Sequence, residues 1–243
     1  MQEITQLTFL FIQIFFMAIF LSMSGFLFRK CFIDFNHKSH LEEDGLFGFI
    51  LIGLLSLTLN FFLPLTPLVN IIFFLVIILI GINFNFLKEI NKNFLFKTLI
   101  ISSISLILIA YSTVYRPDAW LYHLPYSKII NEHKIILGAA NIHERFSHIS
   151  IFQYISSFFY NYIFLKNGIL IPISLVASYF FFFTYNEFKK SLLKKNFIYA
   201  NVQFLILVIS LYALNRYSEY GNDAQVHFYY FVFIIFLFKF FKK

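Results

Sequence analysis

Uncharged apolar stretches of about twenty residues recur along this chain, and they constrain its fold more than any other feature. Six of them carry no charge, and a seventh contains only Lys239, near its end; together they run over 7–28, 46–65, 68–87, 98–115, 168–185, 197–214 and 224–241. A helix satisfies its own backbone polar groups, so it can cross hydrocarbon where irregular chain cannot. The sequence therefore predicts an all-α, polytopic membrane protein with about seven transmembrane helices.

Composition excludes the soluble alternatives. Only 13% of the 243 residues are charged and 60% are hydrophobic, whereas a soluble domain carries about a quarter charged residues. The single cysteine excludes a disulfide framework and a thiolate zinc cluster. We attribute the net charge of +7 to cytoplasmic loops facing anionic lipid, and we predict no nucleic-acid partner.

The segment 149–165 has a polar stripe at helical spacing, which predicts a helix lying in the membrane interface rather than crossing it. With seven spans and the N-terminus outside, 13 basic residues face the cytoplasm and 6 face outward. An eighth span would place the lysines at 189–195 outside, against the positive-inside rule. The expected location is the inner membrane of a bacterium, with the C-terminus in the cytoplasm. A further loop helix is expected around 126–134.

The long outer segment, 116–166, opens with a polar cluster that includes Arg116, Asp118, Tyr122 and His123. An aspartate at this position is typical of a general base, a metal ligand or a helix N-cap. A second cluster in the same segment contains Asn141, His143, Arg145 and His148. No zinc spacing occurs there, but a hydrated divalent cation, Mg or Mn, needs no such motif.

A third cluster, Arg216, Glu219 and Asp223, precedes the last stretch and faces the same side. Asp223 has the same alternative as Asp118, that of capping a helix. Three of the four arginines of the chain lie in the three clusters, against a lysine-rich background. Because a guanidinium binds phosphate oxygens in a bidentate way, these arginines indicate a lipid phosphate or pyrophosphate site.

The strings DAWLYHLP, ANIHERFSHIS and SEYGNDAQVHF resemble a group of bacterial integral membrane proteins organised like the GT-C membrane glycosyltransferases. The resemblance covers 98–243, so that 1–97 is predicted to be a three-span N-terminal extension. It implies transfer of a sugar, with inversion, from a polyprenyl-phosphate donor at the outer face, in cell-envelope synthesis. Asp118 and Asp223 then correspond to the catalytic or metal-binding acids. The substrate-binding residues would be Arg116, Tyr122, His123, Asn141, His143, Arg145, His148, Arg216 and Glu219.

GT-C enzymes continue with further spans, so we expect this chain to be a fragment, a truncated product or a half-module that needs a missing C-terminal part or a partner subunit. A non-enzymatic membrane protein, such as a lipid-linked-glycan transporter or an assembly partner, is the alternative. A transporter should place its polar residues near the bilayer midplane. Here they cluster near one surface, which favours interfacial chemistry.

Overall fold

The computed structural model describes residues 2–33, 40–110, 119–147, 150–212 and 223–241. Over those ranges the chain forms nine α-helices and no strand, which confirms the all-α prediction. The helices are α1 (Gln2–Phe32), α2 (Leu41–Phe62), α3 (Pro67–Asn83), α4 (Lys92–Ala110), α5 (Leu124–Glu132), α6 (Ile151–Phe159), α7 (Asn167–Leu193), α8 (Phe197–Tyr212) and α9 (Asp223–Phe241).

Five helices in the described ranges (α1, α2, α4, α7 and α9) are long and apolar enough to cross a membrane. Two more apolar helices, α3 and α8, are shorter, with 17 and 16 residues. Large apolar side chains such as Phe61, Leu79 and Phe233 point away from the bundle and are exposed. Exposed apolar surface of this kind suits a hydrocarbon solvent, and the helices are those of a membrane protein.

Helices α1 and α2 have the closest contact in the bundle because small residues lie where they cross. A Cβ atom at Gly25 would overlap the carbonyl oxygen of Asp44, and one at Gly48 would overlap that of Leu21. Glycine lets helix backbones approach closely, which is how helices gain packing energy in lipid. The two glycines therefore fix the α1–α2 contact on which the rest of the bundle is built.

Hydrogen bonds between small polar side chains and backbone join the other helices. Ser105 on α4 and Ser174 on α7 share a hydrogen bond of 2.6 Å. The Tyr179 hydroxyl donates to the carbonyl oxygen of Ala18 at 2.7 Å, and that of Tyr229 donates to Leu46 at 2.7 Å. Each bond satisfies a polar group that hydrocarbon would leave unpaired.

The bundle has two distinct ends. At one, which we name the charged end, Arg29 at the end of α1 pairs with Asp44 at the start of α2. At the other, which we name the loop end, segment 119–147 and α6 pack on the α2–α3 turn, and the connection from α6 to α7 contacts the first half of α1. There the amide of Gln13 donates to Ile163 O at 2.8 Å and its oxygen accepts from Asn167 at 2.7 Å.

The segment predicted as one interfacial helix is shorter than expected. Helix α6 has nine residues, about 14 Å at 1.5 Å per residue, which is too short to span a bilayer. It ends at Phe159, and the Asn161 side chain then accepts from the backbone N–H groups of Ile163 and Phe164. The segment is therefore not among the five helices that are long and apolar enough to cross a membrane.

Candidate functional site

Three buried asparagines hold α5 and α6 onto the α2–α3 turn at the loop end. Asn60 donates to the carbonyl oxygens of Ile130 and His133, at 3.2 and 3.0 Å. Asn131 donates to those of Leu65 and Ser157. An amide buried in an apolar setting needs such partners, so these contacts attach the end of α5 to the bundle.

Asn70, in the first turn of α3, does the same for α6. It is fully buried, and it donates to Ser157 O at 2.8 Å and to Tyr160 O at 3.1 Å. Ser157 lies in the last turn of α6, where its carbonyl oxygen also accepts from Tyr160 N–H at 3.3 Å, and Tyr160 is the first residue after the helix. Asn70 therefore binds the end of α6, where carbonyl oxygens run out of intrahelical donors. Asparagine in an apolar stretch was the sequence signal for this arrangement, although the sequence analysis assigned Asn60 and Asn70 no role.

Helix α6 begins with a capping box in which the Ser150 hydroxyl accepts from Phe152 N–H and the Gln153 side chain accepts from Ser150 N–H. Its residues from Phe152 to Phe159 are all buried. The polar stripe faces α5 rather than lipid headgroups, since Ser157 donates to Ser127 O at 3.4 Å. Protein therefore covers both faces of this helix. That the helix lies at the depth of the membrane interface stays a prediction.

Four of the predicted substrate-binding residues come together at the loop end. Tyr122 and His123 lie in a π-helical turn, Ala119–His123, that leads directly into α5, and their ring centroids are 4.1 Å apart. The Arg145 guanidinium lies 5.2 Å from the centroid of the Tyr122 ring, a cation–π contact.

The His143 ring accepts from Arg145 N–H at 3.2 Å. Segment 144–147 is anchored by the buried Phe146, which packs on Tyr126.

His123 is buried and its protonation is set by Gln153. The Gln153 amide nitrogen lies 3.3 Å from His123 Nδ1, while the amide oxygen accepts from Ser150 N–H. The NH₂ group must donate to Nδ1, so the neutral imidazole carries its proton on Nε2. This contact fixes the ring orientation in the turn that directly follows Asp118.

Two tyrosines beneath this cluster are held neutral. Burial raises the pKa of Tyr126 above its usual range and raises that of Tyr154 further. Both belong to a small apolar core with Leu65, Ile130 and Phe146. They serve as packing for the cluster and do not offer it a base at neutral pH.

A cleft of about 730 Å³ opens beside the cluster, where α3, α5 and α7 meet. Its apolar wall includes Trp120, Leu124, Ile169 and Leu170, together with Pro67, Ala119 and Tyr160. Its polar wall is formed by Thr66, Ser127, Lys128, Asn131, Glu132 and Lys166. The size and mixed lining are typical of a small-molecule site. The sequence analysis did not predict this cleft, since its walls come from four separate segments.

Several predicted site residues fall outside the described residues: Arg116, Asp118, His148, Arg216 and Glu219. Asp223 begins α9, and its side chain is also outside the description. Asn141 is exposed, in a short turn after Gly138, and does not contact the Tyr122–Arg145 pair in any described interaction. Convergence of Asp118 and Asp223 stays a prediction.

A metal site is also a prediction. Among the described residues no group of three histidine, cysteine or acidic side chains is placed to hold a metal ion. The side chains of the two acids predicted to bind Mg or Mn lie outside the described residues. Of the histidines predicted to belong to the site, the two that are described, His123 and His143, have the protein contacts given above.

At the charged end the structure holds a network that the sequence analysis missed. Arg29 donates from Nε to Asp44 Oδ1 at 2.9 Å and from Nη2 to Oδ2 at 3.1 Å. Lys239 on α9 lies 2.8 Å from Glu187 on α7. Glu42 accepts from Asn186 at 2.8 Å and pairs with Lys97 at 3.5 Å. The network joins α1, α2, α4, α7 and α9, so its role is to hold the helices together.

The signal for this network was the run Glu42-Glu43-Asp44 at the start of an apolar stretch. All three acids are buried, and so is Arg29. Charged residues inside a membrane bundle pair with one another, so three consecutive acids required basic partners from other helices. Arg29 and Lys97 are among the 13 basic residues predicted to face the cytoplasm, but a count of charges by side does not predict their partners.

Comparison with known proteins gives the family but no function. No curated protein and no solved structure matches the chain. A family described as a domain of unknown function, DUF8201, matches residues 7–243. The chain belongs to this family, DUF8201.

Proposed function

We propose that the chain crosses the membrane seven times, with the loop end outside the cell. Five long apolar helices and the two shorter ones, α3 and α8, make up the seven. A helix of 16 or 17 residues is about 25 Å long, which fits a locally thin bilayer or flanking residues that reach the interface. If successive spans alternate in direction, the C-terminal ends of α1, α7 and α9 lie at the charged end. The N-terminal ends of α2 and α4 lie there too. The ion pairs between these helices require this arrangement.

The positive-inside rule supports this orientation. The charged end and its loops hold 13 of the 19 basic residues, and the loop end with its connections holds 6. Arg29, Lys97 and Lys239, all assigned to the cytoplasmic side, belong to the same network. The N-terminus is then outside and the C-terminus in the cytoplasm.

The function that we infer is transfer of a sugar from a polyprenyl-phosphate donor at the loop end. The observation that carries it is that Arg145, Tyr122 and His123 lie together beside the cleft. Asp118 directly precedes Ala119, which lines that cleft. An acceptor hydroxyl oxygen attacks the anomeric carbon, and the bond from that carbon to the phosphate oxygen breaks. Asp118 takes the acceptor's proton, and arginine neutralises the leaving phosphate. In the alternative, Asp118 would hold a divalent cation, which would supply positive charge for positioning the acceptor. The lipid phosphate leaves as an anion.

Mass analysis of lipid-linked sugars, in cells with and without the full-length gene, tests this function. A transferase predicts that one polyprenyl-phosphate sugar accumulates when the gene is deleted and returns to its former level when the gene is restored. An unchanged pool of lipid-linked sugars would contradict a transferase and leave the role of an assembly partner.

A further inference from the structure

The cleft at the loop end has the lining of a site for an amphiphile. One wall is apolar and continuous with the first turns of a membrane helix, through Leu124, Ile169 and Leu170. The other wall is polar and carries Lys128 and Lys166. A cleft of about 730 Å³ accommodates a headgroup and the beginning of a hydrocarbon chain, and not a whole lipid.

The charges of the cleft favour an anion. Lys166 is exposed, and among the described residues the lining of the cleft contains two lysines and one carboxylate, that of Glu132. Lys128 contacts Glu132 at 3.7 Å, but both side chains are largely exposed, so the pair holds the ammonium group only weakly. Helices α3 and α7 both begin at the cleft, and their N-termini add positive partial charge to that of the lysines.

The position of the cleft favours a lipid over a soluble anion. It lies at the first turns of two helices that enter the membrane, so its apolar wall is level with the hydrocarbon boundary and its lysines with the headgroups. Trp120 in the same wall is an interfacial residue type. A free phosphate ion would leave the apolar wall without a partner.

We propose that this cleft binds a membrane lipid through its phosphate, with the phosphate between Lys128 and Lys166 and the chain against Leu124, Ile169 and Leu170. The inference deepens the proposed function, on which it rests for the lipid's role as the donor. The binding itself needs no transfer chemistry. A lipid site and a transferase activity can therefore be tested separately.

Trp120 is the only tryptophan in the chain and it lines the cleft, so its fluorescence reports on the occupant. The full chain is reconstituted in phosphatidylcholine vesicles that contain a minor, equal fraction of either brominated phosphatidic acid or brominated phosphatidylcholine. Bromine quenches tryptophan on contact. We expect the phosphatidic acid to quench Trp120 more strongly, and the apparent affinity to fall about fivefold for each lysine changed in Lys128→Gln and Lys166→Gln.

Lys134→Gln is the matched control, since Lys134 is an exposed lysine of the same outer segment that does not line the cleft. It should keep most of the preference. Equal loss in Lys134→Gln, or no loss in the Lys128→Gln/Lys166→Gln variant, would overturn the site and leave surface charge as the cause. If added inorganic phosphate reverses the preference for brominated phosphatidic acid, the occupant of the cleft is not a lipid.

The two proposals fail in different ways. If quenching depends on the two lysines but deletion of the gene leaves lipid-linked sugars unchanged, the lipid site stands and the transferase falls. If the sugars change but quenching ignores the two lysines, the transferase stands and this site falls.

Discussion

Replacing Arg29 by methionine should destabilise the folded protein strongly, because it leaves the Asp44 carboxylate buried without its bidentate partner. The two side chains are only 5% and 4% exposed, and two hydrogen bonds of 2.9 and 3.1 Å join them. Removing one partner of such a pair costs about 3–5 kcal/mol. For a chain of this size that lowers the midpoint of thermal unfolding by about 6–20 °C.

The double variant Arg29→Met/Asp44→Leu separates the pair from its burial. With both charges removed, no ion is left unpaired, so most of the lost stability should return. Lys128→Ala is the control for an ordinary ion pair, since Lys128 and Glu132 are 73% and 55% exposed and their pair contributes less than about 1 kcal/mol.

Thermal unfolding of the purified chain in detergent, followed by helical circular dichroism, measures all four proteins under one condition. A midpoint for Arg29→Met within about 2 °C of the wild type would refute the assigned burial and pairing, since that shift is under about 1 kcal/mol. Equal losses in Arg29→Met and in the double variant would refute the idea that a buried Asp44 carboxylate without its Arg29 partner is the cause.

Three further outcomes follow from the same structure. Cys31 is exposed at the charged end, so a membrane-impermeant maleimide should label it only in opened cells, and labelling in intact cells would reverse the orientation. The next outcome uses single cysteines in a Cys31→Ser background. Tyr162 is 65% exposed, so Tyr162→Cys should be labelled from outside. Asn161 is 2% exposed, so Asn161→Cys should resist labelling from either side. Burial lowers the pKa of His40, and the positive charge of neighbouring Lys190 lowers it further. Below pH about 6.5 the unfolded chain therefore binds more protons than the folded chain. Unfolding midpoints should therefore fall as the pH drops through 6.5 towards the lowered value, and His40→Gln should lessen that fall; equal pH slopes in the two proteins would contradict it.

The membrane helices could be predicted because hydropathy over about twenty residues depends only on local sequence. Apolar stretches at 98–115 and 168–185 became α4 and α7, although the helices extend past the uncharged stretches to Lys92 and Leu193. Lysine and asparagine are tolerated in a terminal turn of a helix that reaches the interface, and a hydropathy pattern does not include them.

Periodicity predicted which polar residues of α6 share a face but not what that face contacts. Ser157 and Gln153 lie on one side of the helix, as expected, but that side meets Ser127 and His123 instead of water. An amphipathic pattern arises equally from a lipid interface and from a neighbouring polar segment. Only the position of α5 decides between them.

The pairs and clefts depend on elements far apart in sequence. Arg29 reaches Asp44 only because glycines let α1 and α2 approach closely. Lys128 on α5 and Lys166, directly before α7, line one cleft although they are far apart in sequence. The tertiary packing that creates such sites leaves no local signal.

Asp118 carries the central claim, that the loop end is a site of sugar transfer, and its replacement tests that claim most directly. Asparagine caps a helix about as well as aspartate, so Asp118→Asn removes a base or a metal ligand and leaves a cap in place. The measurement is the level of the polyprenyl-phosphate sugar in deletion cells that express the complete protein with Asp118→Asn, at an amount matched to the wild type. The account predicts that the sugar accumulates as in the deletion, whereas wild-type levels of the lipid-linked sugar would contradict it.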